Sequence, residues 1–195
     1  TNDFLNFNNQ IGKSLIENNS VRLNDSDIDI LLQPASDKEK FTLIEDIFTD
    51  IFFEREEARF LDNFRANVEK LDHPFKKSMA LTIMNRSLTR KITMGHFAHT
   101  QALVYAQDPA RVKRNRSLVR PIKTIFLELL PTYNLAVFDN KQSNKSYCAN
   151  TLDLLPMLED SPIDLAYFDP PYCNSHADYQ SFYHLLETYT EYWTD

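Results

Sequence analysis

Apolar side chains recur at helical spacing near the start of the chain. A polar turn comes first, and the spacing of three to four residues that follows predicts an amphipathic helix. The apolar positions of this stretch are Phe4, Phe7, Ile11, Leu15 and Ile16. Residues 24–38 are polar and contain Pro34, so we expect a loop there.

A longer apolar stripe over residues 39–71 predicts two helices with a break near Phe53–Glu56. Asp72-His73-Pro74 then indicates the start of another helix, because Asp is a favoured cap and Pro is favoured in a first turn. Residues 95–117 are polar with little periodicity. The apolar run over 118–130 fits a helix or a strand equally well.

Strand-like patterns appear in the last third of the chain. Residues 134–138 and 146–148 predict short strands, and residues 152–158 predict a short helix limited by Pro156. Residues 163–168 form a mostly apolar run, which predicts a strand buried on both faces of a parallel sheet. Another helix is expected over residues 179–189. The order of elements therefore indicates an α/β fold.

Composition narrows the class of protein. The chain has 195 residues, of which 43% are hydrophobic and 25% charged, as in ordinary globular proteins. No apolar run is long enough to predict a membrane span. Two cysteines, Cys148 and Cys173, do not make a disulfide scaffold or a cysteine-built zinc site, and the histidines have no ligand partners at suitable spacing, so we predict no metal site. A reducing, cytoplasmic setting fits this cysteine usage.

Glycine is the most informative residue in this composition. The chain has 2 glycines, about 1% of its residues against a usual ~7%. A glycine-rich phosphate or nucleotide loop therefore cannot be built from this sequence. The first residue is Thr1 rather than Met, and we expect the sequence to be a piece of a longer protein.

The net charge of -7 conceals a strong segregation of charge along the chain. Residues 1–72 carry a balance of -8, residues 73–127 a balance of +10 and residues 128–195 a balance of -9. A dense basic segment predicts an electrostatic footprint for phosphates. A solvated helix face paired with the acidic flanks remains the alternative. The densest cations are Arg111, Lys113, Arg114, Arg116, Arg120 and Lys123.

The apolar run over 163–168 ends in Asp169-Pro170-Pro171-Tyr172. Ligands of open α/β sheets bind beyond the carboxyl ends of strands, where this motif is expected. The two prolines fix the backbone and remove two donors, so that the Pro170 carbonyl can face a cleft. With the Asp169 carboxylate as a second acceptor and the Tyr172 ring for stacking, the motif suits an amino group on a flat ring.

This motif resembles the Asp/Asn/Ser-Pro-Pro-Tyr/Phe motif of amino-group DNA methyltransferases, and the Asp in first position resembles the adenine-N6 enzymes. The wider chain is similar to the Dam-like, alpha-group family of DNA adenine methylases. Phe52–Asn63 resembles a segment that precedes the variable region of that family, and Asn2-Asp3 matches the acidic end of its second strand. Ser146–Asn150 resembles the strand that ends in a polar residue before the motif.

The resemblance implies a Rossmann-like methyltransferase sheet, present in part, with a largely helical DNA-recognition insertion. Residues 1–35 and 132–195 would then belong to the catalytic domain and residues 36–131 to the basic insertion. It also implies S-adenosylmethionine as cofactor, bound through Asp3, Asn150 and Asp169, and double-stranded DNA as substrate. Asp169, Pro170, Pro171 and Tyr172 would be the catalytic residues, in an enzyme that pairs with a cognate restriction endonuclease.

The sequence departs from the family at two places. The Phe-x-Gly-x-Gly loop that holds the methionine part of the cofactor is absent from this sequence, and Asn150 stands where the family commonly has Asp. The first departure leaves open an inactive remnant that only binds DNA. A methyltransferase that acts on RNA adenine or on protein glutamine is also compatible with the motif, although the glutamine enzymes usually have Asn at the position of Asp169.

Overall fold

The computed structural model describes residues 1–36, 40–92, 96–158, 163–170 and 178–193. Within these ranges the fold is mixed α/β and mostly helical, with one small parallel sheet. Its strands are β1 (Asn2–Asp3) and β2 (Tyr147–Cys148). Its helices are α1 (Asn6–Gly12), α2 (Asp25–Leu32), α3 (Leu43–Phe48), α4 (Arg55–Val68), α5 (Pro74–Arg90), α6 (Ala102–Ala106), α7 (Pro109–Arg114), α8 (Ile122–Ala136), α9 (Thr151–Met157) and α10 (Tyr179–Glu191). A π-helical turn, Lys13–Glu17, continues α1, and a 3-10 turn, Arg116–Val119, precedes α8.

Helix α5 is the centre of the hydrophobic core. It packs against α1, α4, α8 and α10, and its side chains are buried on nearly every side. Met79 and Ile83 are fully buried, and each such apolar side chain contributes about 1.5–3 kcal/mol. Phe64 of α4 and Phe126 of α8 meet nearby with ring centroids 4.9 Å apart. The helices predicted over 39–71, with their break, are confirmed as α3 and α4.

The two strands are parallel, and α1 lies close against them. Asn2 pairs with Tyr147 and Asp3 with Cys148, so both predicted strand ends are confirmed. A Cβ added at Gly12 would lie 2.1 Å from the Ser146 hydroxyl oxygen, which itself donates to the Asn9 side chain at 2.9 Å. This close approach of helix to strand is what requires glycine at position 12.

Two helix starts differ from the sequence predictions. The loop predicted over 24–38 is wrong, because Asn24 and Asp27 form a reciprocal capping box that begins α2. The cap of α5 is His73 rather than Asp72: the His73 Nδ1 accepts from the Phe75 N–H at 3.1 Å. Asp72 instead pairs with a lysine one turn into the helix.

The strand predicted over 134–138 is also wrong, because α8 continues to Ala136. Its buried residues recur at a spacing of three to four positions, so the apolar run over 118–130, which fitted a helix or a strand, follows a helical period. These residues are Ile122, Ile125, Phe126 and Leu129. Pro131 has no N–H to donate to the Leu127 carbonyl, so one hydrogen bond of the helix is missing there. Leu127 lies on the exposed side of the helix.

Residues 163–170 have no strand in the structure, which overturns the buried strand predicted over 163–168. Leu165 is 87% exposed and Tyr167 is 86% exposed. A strand buried on both faces needs a neighbouring strand and covering helices. In the described residues the sheet consists of β1 and β2 alone, and residues 163–170 pair with neither strand.

Candidate functional site

The carboxyl ends of β1 and β2 bring two of the predicted site residues to the same edge. The Ala149 N–H donates to the Asp3 carbonyl at 3.2 Å, and Asn150 follows directly. The Asn2 amide reinforces this junction by donating to the Ala149 carbonyl at 3.1 Å and to the Thr151 hydroxyl at 3.3 Å. Asp3 and Asn150 thus lie beside each other although most of the chain separates them.

The Asp3 carboxylate is held in a fixed orientation. Its Oδ1 accepts from the Leu5 N–H at 2.8 Å, and its Oδ2 accepts from the Asn8 amide at 3.1 Å. Asp3 is half-buried. Each carboxylate oxygen can accept more than one hydrogen bond, so an oriented acceptor pair remains for further donors.

Asn150 caps α9 and is exposed. Its Oδ1 accepts from the Leu152 N–H at 3.0 Å, which leaves the Nδ2 donor without a hydrogen-bond partner in the described residues. The edge therefore offers an oriented carboxylate and an exposed amide donor. Hydroxyl groups and a nitrogen heterocycle are the kinds of group that this pair can bind.

Asp169 and Pro170 lie at the end of the exposed segment 163–170. Pro171, Tyr172 and Cys173 lie outside the described residues. The structure therefore gives the position of half of the motif, and the catalytic roles of these residues stay predictions.

Glu187 attaches helix α10, which comes after the motif in sequence, to the strand edge. The Glu187 Oε1 accepts from the Asn6 N–H at 2.8 Å and the Glu187 Oε2 accepts from the Phe7 N–H at 2.9 Å. Both oxygens therefore satisfy backbone donors at the start of α1 that have no partner within the helix. The first residue of α1 comes three positions after Asp3. Sequence reasoning missed Glu187, because an acidic residue inside a helix carries no signal of its distant partner.

The six cations of the densest basic segment divide into two groups. Arg111 lies over the Tyr105 ring at 4.9 Å, and Arg120 pairs with Glu128, whose pKa this hydrogen bond lowers. The other four are exposed and make no ion pair in the part of the chain that the structure describes: Lys113, Arg114, Arg116 and Lys123.

Three lysines elsewhere in residues 73–127 stabilise the scaffold instead. Lys76 bonds to Asp27 at 2.9 Å and Lys77 to Glu69 at 3.0 Å, and Lys91 bonds to Glu57. The hydrogen bond to Asp27 is the largest cause that raises the pKa of Lys76. These contacts agree with the solvated-pair alternative for the lysines. Exposed positive charge remains near α7, at the start of α8, and at Arg86 and Arg90 of α5.

Glu57 fixes the end of the basic segment to the helical core. Its carboxylate bonds to Lys91 Nζ at 2.5 and 2.6 Å, and its Oε1 accepts from the Ile122 N–H at 3.0 Å. Glu57 thereby neutralises a half-buried lysine and caps α8 at once. The first turn of α8, with Lys123, is held in a defined place beside α4.

The described residues contain no group of three or more His, Cys, Asp or Glu side chains that could hold a metal ion. None of the helices in those same ranges is both long enough and apolar enough to cross a membrane.

Comparison with known proteins gives one informative similarity. The chain is 32% identical to the Type II methyltransferase M2.HphI of Haemophilus parahaemolyticus over 194 residues, which cover 96% of this chain and 56% of that relative. No model of a known protein family matches the chain, and no solved structure matches it. Over nearly its whole length, therefore, the chain is similar to a Type II methyltransferase, of which it spans about half.

Proposed function

We propose that this chain is part of a site-specific DNA adenine-N6 methyltransferase of a restriction-modification system. The observation that carries the proposal is the parallel pairing of β1 with β2, which places Asp3 beside Asn150 at one sheet edge. These are two of the three residues that the resemblance assigns to the cofactor, the third being Asp169. The similarity to a Type II methyltransferase over 96% of the chain supports the same class.

In this proposal Asp169 and the Pro170 carbonyl accept hydrogen bonds from the adenine N6 amino group. The lone pair of that nitrogen is delocalised into the ring, and two fixed acceptors favour the tetrahedral nitrogen that develops during the reaction. Tyr172 stacks on the adenine after it leaves the helix, which offsets part of an unstacking cost of a few kcal/mol.

Asp3 and Asn150 fit part of the cofactor site. The oriented carboxylate of Asp3 suits a pair of ribose hydroxyls, and the exposed amide of Asn150 suits an adenine ring nitrogen. Bound S-adenosylmethionine supplies the electrophilic methyl group. Because a Phe-x-Gly-x-Gly loop is not in this sequence, we expect these residues to give only part of the binding energy.

The basic segment supplies the contact with double-stranded DNA. The four exposed cations of its densest part, which have no ion pair within the described ranges, suit phosphate binding, and an Arg among them suits base readout in the major groove. We assign residues 36–131 to the recognition insertion, which packs on the catalytic residues 1–35 and 132–195 through α5. A cognate restriction endonuclease would cut the unmethylated form of the same DNA site.

The test is methyl transfer from labelled S-adenosylmethionine by the full-length protein that contains residues 1–195. Duplex DNA, RNA and a glutamine-containing peptide serve as substrates, and mass spectrometry of digested DNA detects N6-methyladenine. We expect Asp169→Ala to lower turnover at least about 100-fold, as loss of one fixed polar contact does elsewhere. Asp164→Ala removes an exposed carboxylate from the same segment and serves as the control with normal turnover.

The same assay separates the remaining functions. Near-normal turnover of Asp169→Ala would remove the catalytic assignment. Labelling of the RNA or the peptide in place of DNA would show that the substrate is RNA or protein instead. Normal DNA binding without any transfer would identify an inactive remnant.

A further inference from the structure

An aromatic pocket lies between the turn after α3, residues 96–100 and the first turn of α10. Its volume is about 350 Å³, near the lower end for small-ligand sites. Phe52 and Phe97 meet edge to face with centroids 5.5 Å apart, and the His184 ring lies 6.0 Å from Phe52. Half of the described residues that line the pocket thus carry flat rings. The rings that line the pocket are Phe48, Phe52, Phe97, His99 and His184.

Two imidazoles give the pocket hydrogen-bonding capacity that packing does not use. The His184 Nδ1 lies 2.9 Å from the Ser181 carbonyl, so it donates there, and a neutral ring of this tautomer accepts at Nε2. The His99 Nε2 is buried without a hydrogen-bond partner among the described residues. Buried polar atoms in folded proteins are nearly always satisfied, so an unpaired one at an aromatic pocket points to a polar, planar ligand.

A row of flat groups extends from this pocket to Arg111, one of the densest cations. The His96 ring stacks on Phe182 at 4.2 Å and lies 5.2 Å from His99. The His99 ring meets Tyr105 edge-on at 6.3 Å, and Arg111 continues the row, 4.9 Å from the Tyr105 centroid. A series of rings that ends in a guanidinium is a type of surface on which unpaired bases can stack.

We propose that this pocket binds a nucleobase unstacked from the bound DNA, other than the adenine that is methylated. The proposal rests on the proposed function for its partner, DNA. Asp3, Asn150, Asp169 and Pro170 are not among the described residues that line the pocket, so the ring bound here is not the one aligned with them. Arg111, which is stacked on Tyr105, then belongs to the base-binding row and not to the phosphate contacts.

The experiment uses the full-length protein and a duplex with one mispaired pyrrolocytosine, a fluorescent cytosine analogue that an adenine site would not select. A second dye at the duplex end reports binding by anisotropy. Phe52→Leu removes a pocket ring. Phe60→Leu makes the same change at a half-buried phenylalanine outside the pocket and is the matched control. Circular dichroism and thermal melting establish that both variants are folded.

We expect duplex binding to change the pyrrolocytosine emission in the wild-type protein, in Phe60→Leu and in Asp169→Ala. In Phe52→Leu, the occupancy of the pocket by the base should fall at least about fivefold, while duplex affinity changes less than about twofold. Equal responses of Phe52→Leu and Phe60→Leu would overturn the proposal, as would loss of the response in Asp169→Ala. Failure of the proposed function appears separately, as absence of methyl transfer in a protein that still binds the duplex.

Discussion

The exposed cations near α7 allow a quantitative test of the DNA-binding assignment. Lys113, Arg114 and Arg116 are replaced together by Ala, and Arg111 is kept because it packs on Tyr105. None of the three replaced residues is ion-paired in the described part of the chain. Each lost phosphate contact reduces the slope of log affinity against log salt by about 0.9, so the triple variant should lose up to about 2.7.

The control is a triple variant of equal charge. Lys77, Lys141 and Lys145 pair with carboxylates at 3.0, 2.6 and 3.4 Å, and all lie outside α7 and its flanking turns. Their replacement by Ala changes the net charge by the same amount. We expect it to leave the salt slope unchanged and to lower the melting temperature only slightly, because exposed ion pairs contribute little to stability.

Fluorescence anisotropy with a labelled duplex, from about 50 to 200 mM salt, measures both slopes. Thermal melting of the same samples measures stability. An unchanged slope in the α7 variant would remove the phosphate contacts from this segment. Equal flattening in both variants would show that only the overall charge matters. Lower affinity for all duplexes alike is expected, with an additional loss on the cognate sequence where one arginine contacts guanine.

Three further predictions concern a buried acid, a glycine and the cofactor. Burial raises the pKa of Asp62 to about 6 from 3.8, against the effect of its hydrogen bond from Tyr192. The folded state therefore binds the proton more tightly, and the free energy of unfolding should fall by about 3 kcal/mol as pH rises from about 4 to 7. Melting curves of Asp62→Asn should lack this pH dependence, and an unaltered pH dependence in that variant would refute the cause. Gly12→Ala should reduce stability by about 1–3 kcal/mol in chemical denaturation because of the 2.1 Å contact with Ser146, and the loss should be smaller in a Ser146→Ala background; equal losses would contradict the steric argument. Residues 1–195 alone should bind S-adenosylmethionine weakly or not at all, and micromolar binding in calorimetry would disprove this expectation.

Helical periodicity was sufficient to predict most helices, because their apolar stripes are long and face one core. The α2 start was missed although its signal is local: Asn24 followed three residues later by Asp27 is a capping box. The strand predicted over 163–168 failed for a different reason. An apolar run indicates that its side chains favour burial, but it does not indicate whether the described chain supplies the neighbouring strand.

The candidate site was predictable in part from local pattern and in part from resemblance. The resemblance assigned both Asp3 and Asn150 to the cofactor, and the parallel register brings the ends of their strands together. The division of the basic segment was not predictable. The contact of Arg120 with Glu128 and the contact of Arg111 with Tyr105 depend on how short helices pack. A count of charges along the sequence gives no information about that packing.

Helix α10 connects the strand edge to the helical core. At one turn, Glu187 holds the start of α1 through two backbone N–H groups. Near its end, Arg65 donates to the carbonyls of Tyr189 and Thr190 at 3.2 and 3.1 Å, and the Tyr192 hydroxyl donates to buried Asp62 at 2.6 Å. Charged hydrogen bonds of this kind are directional and are strong when they are buried. The Asp-Pro-Pro-Tyr motif precedes α10 in the sequence, and α10 itself is fixed at both the Asp3 edge and the core. We therefore expect Glu187→Ala to loosen α10 from the Asp3 edge without altering Asp3 or Asn150, because two backbone N–H groups at the start of α1 lose their acceptor.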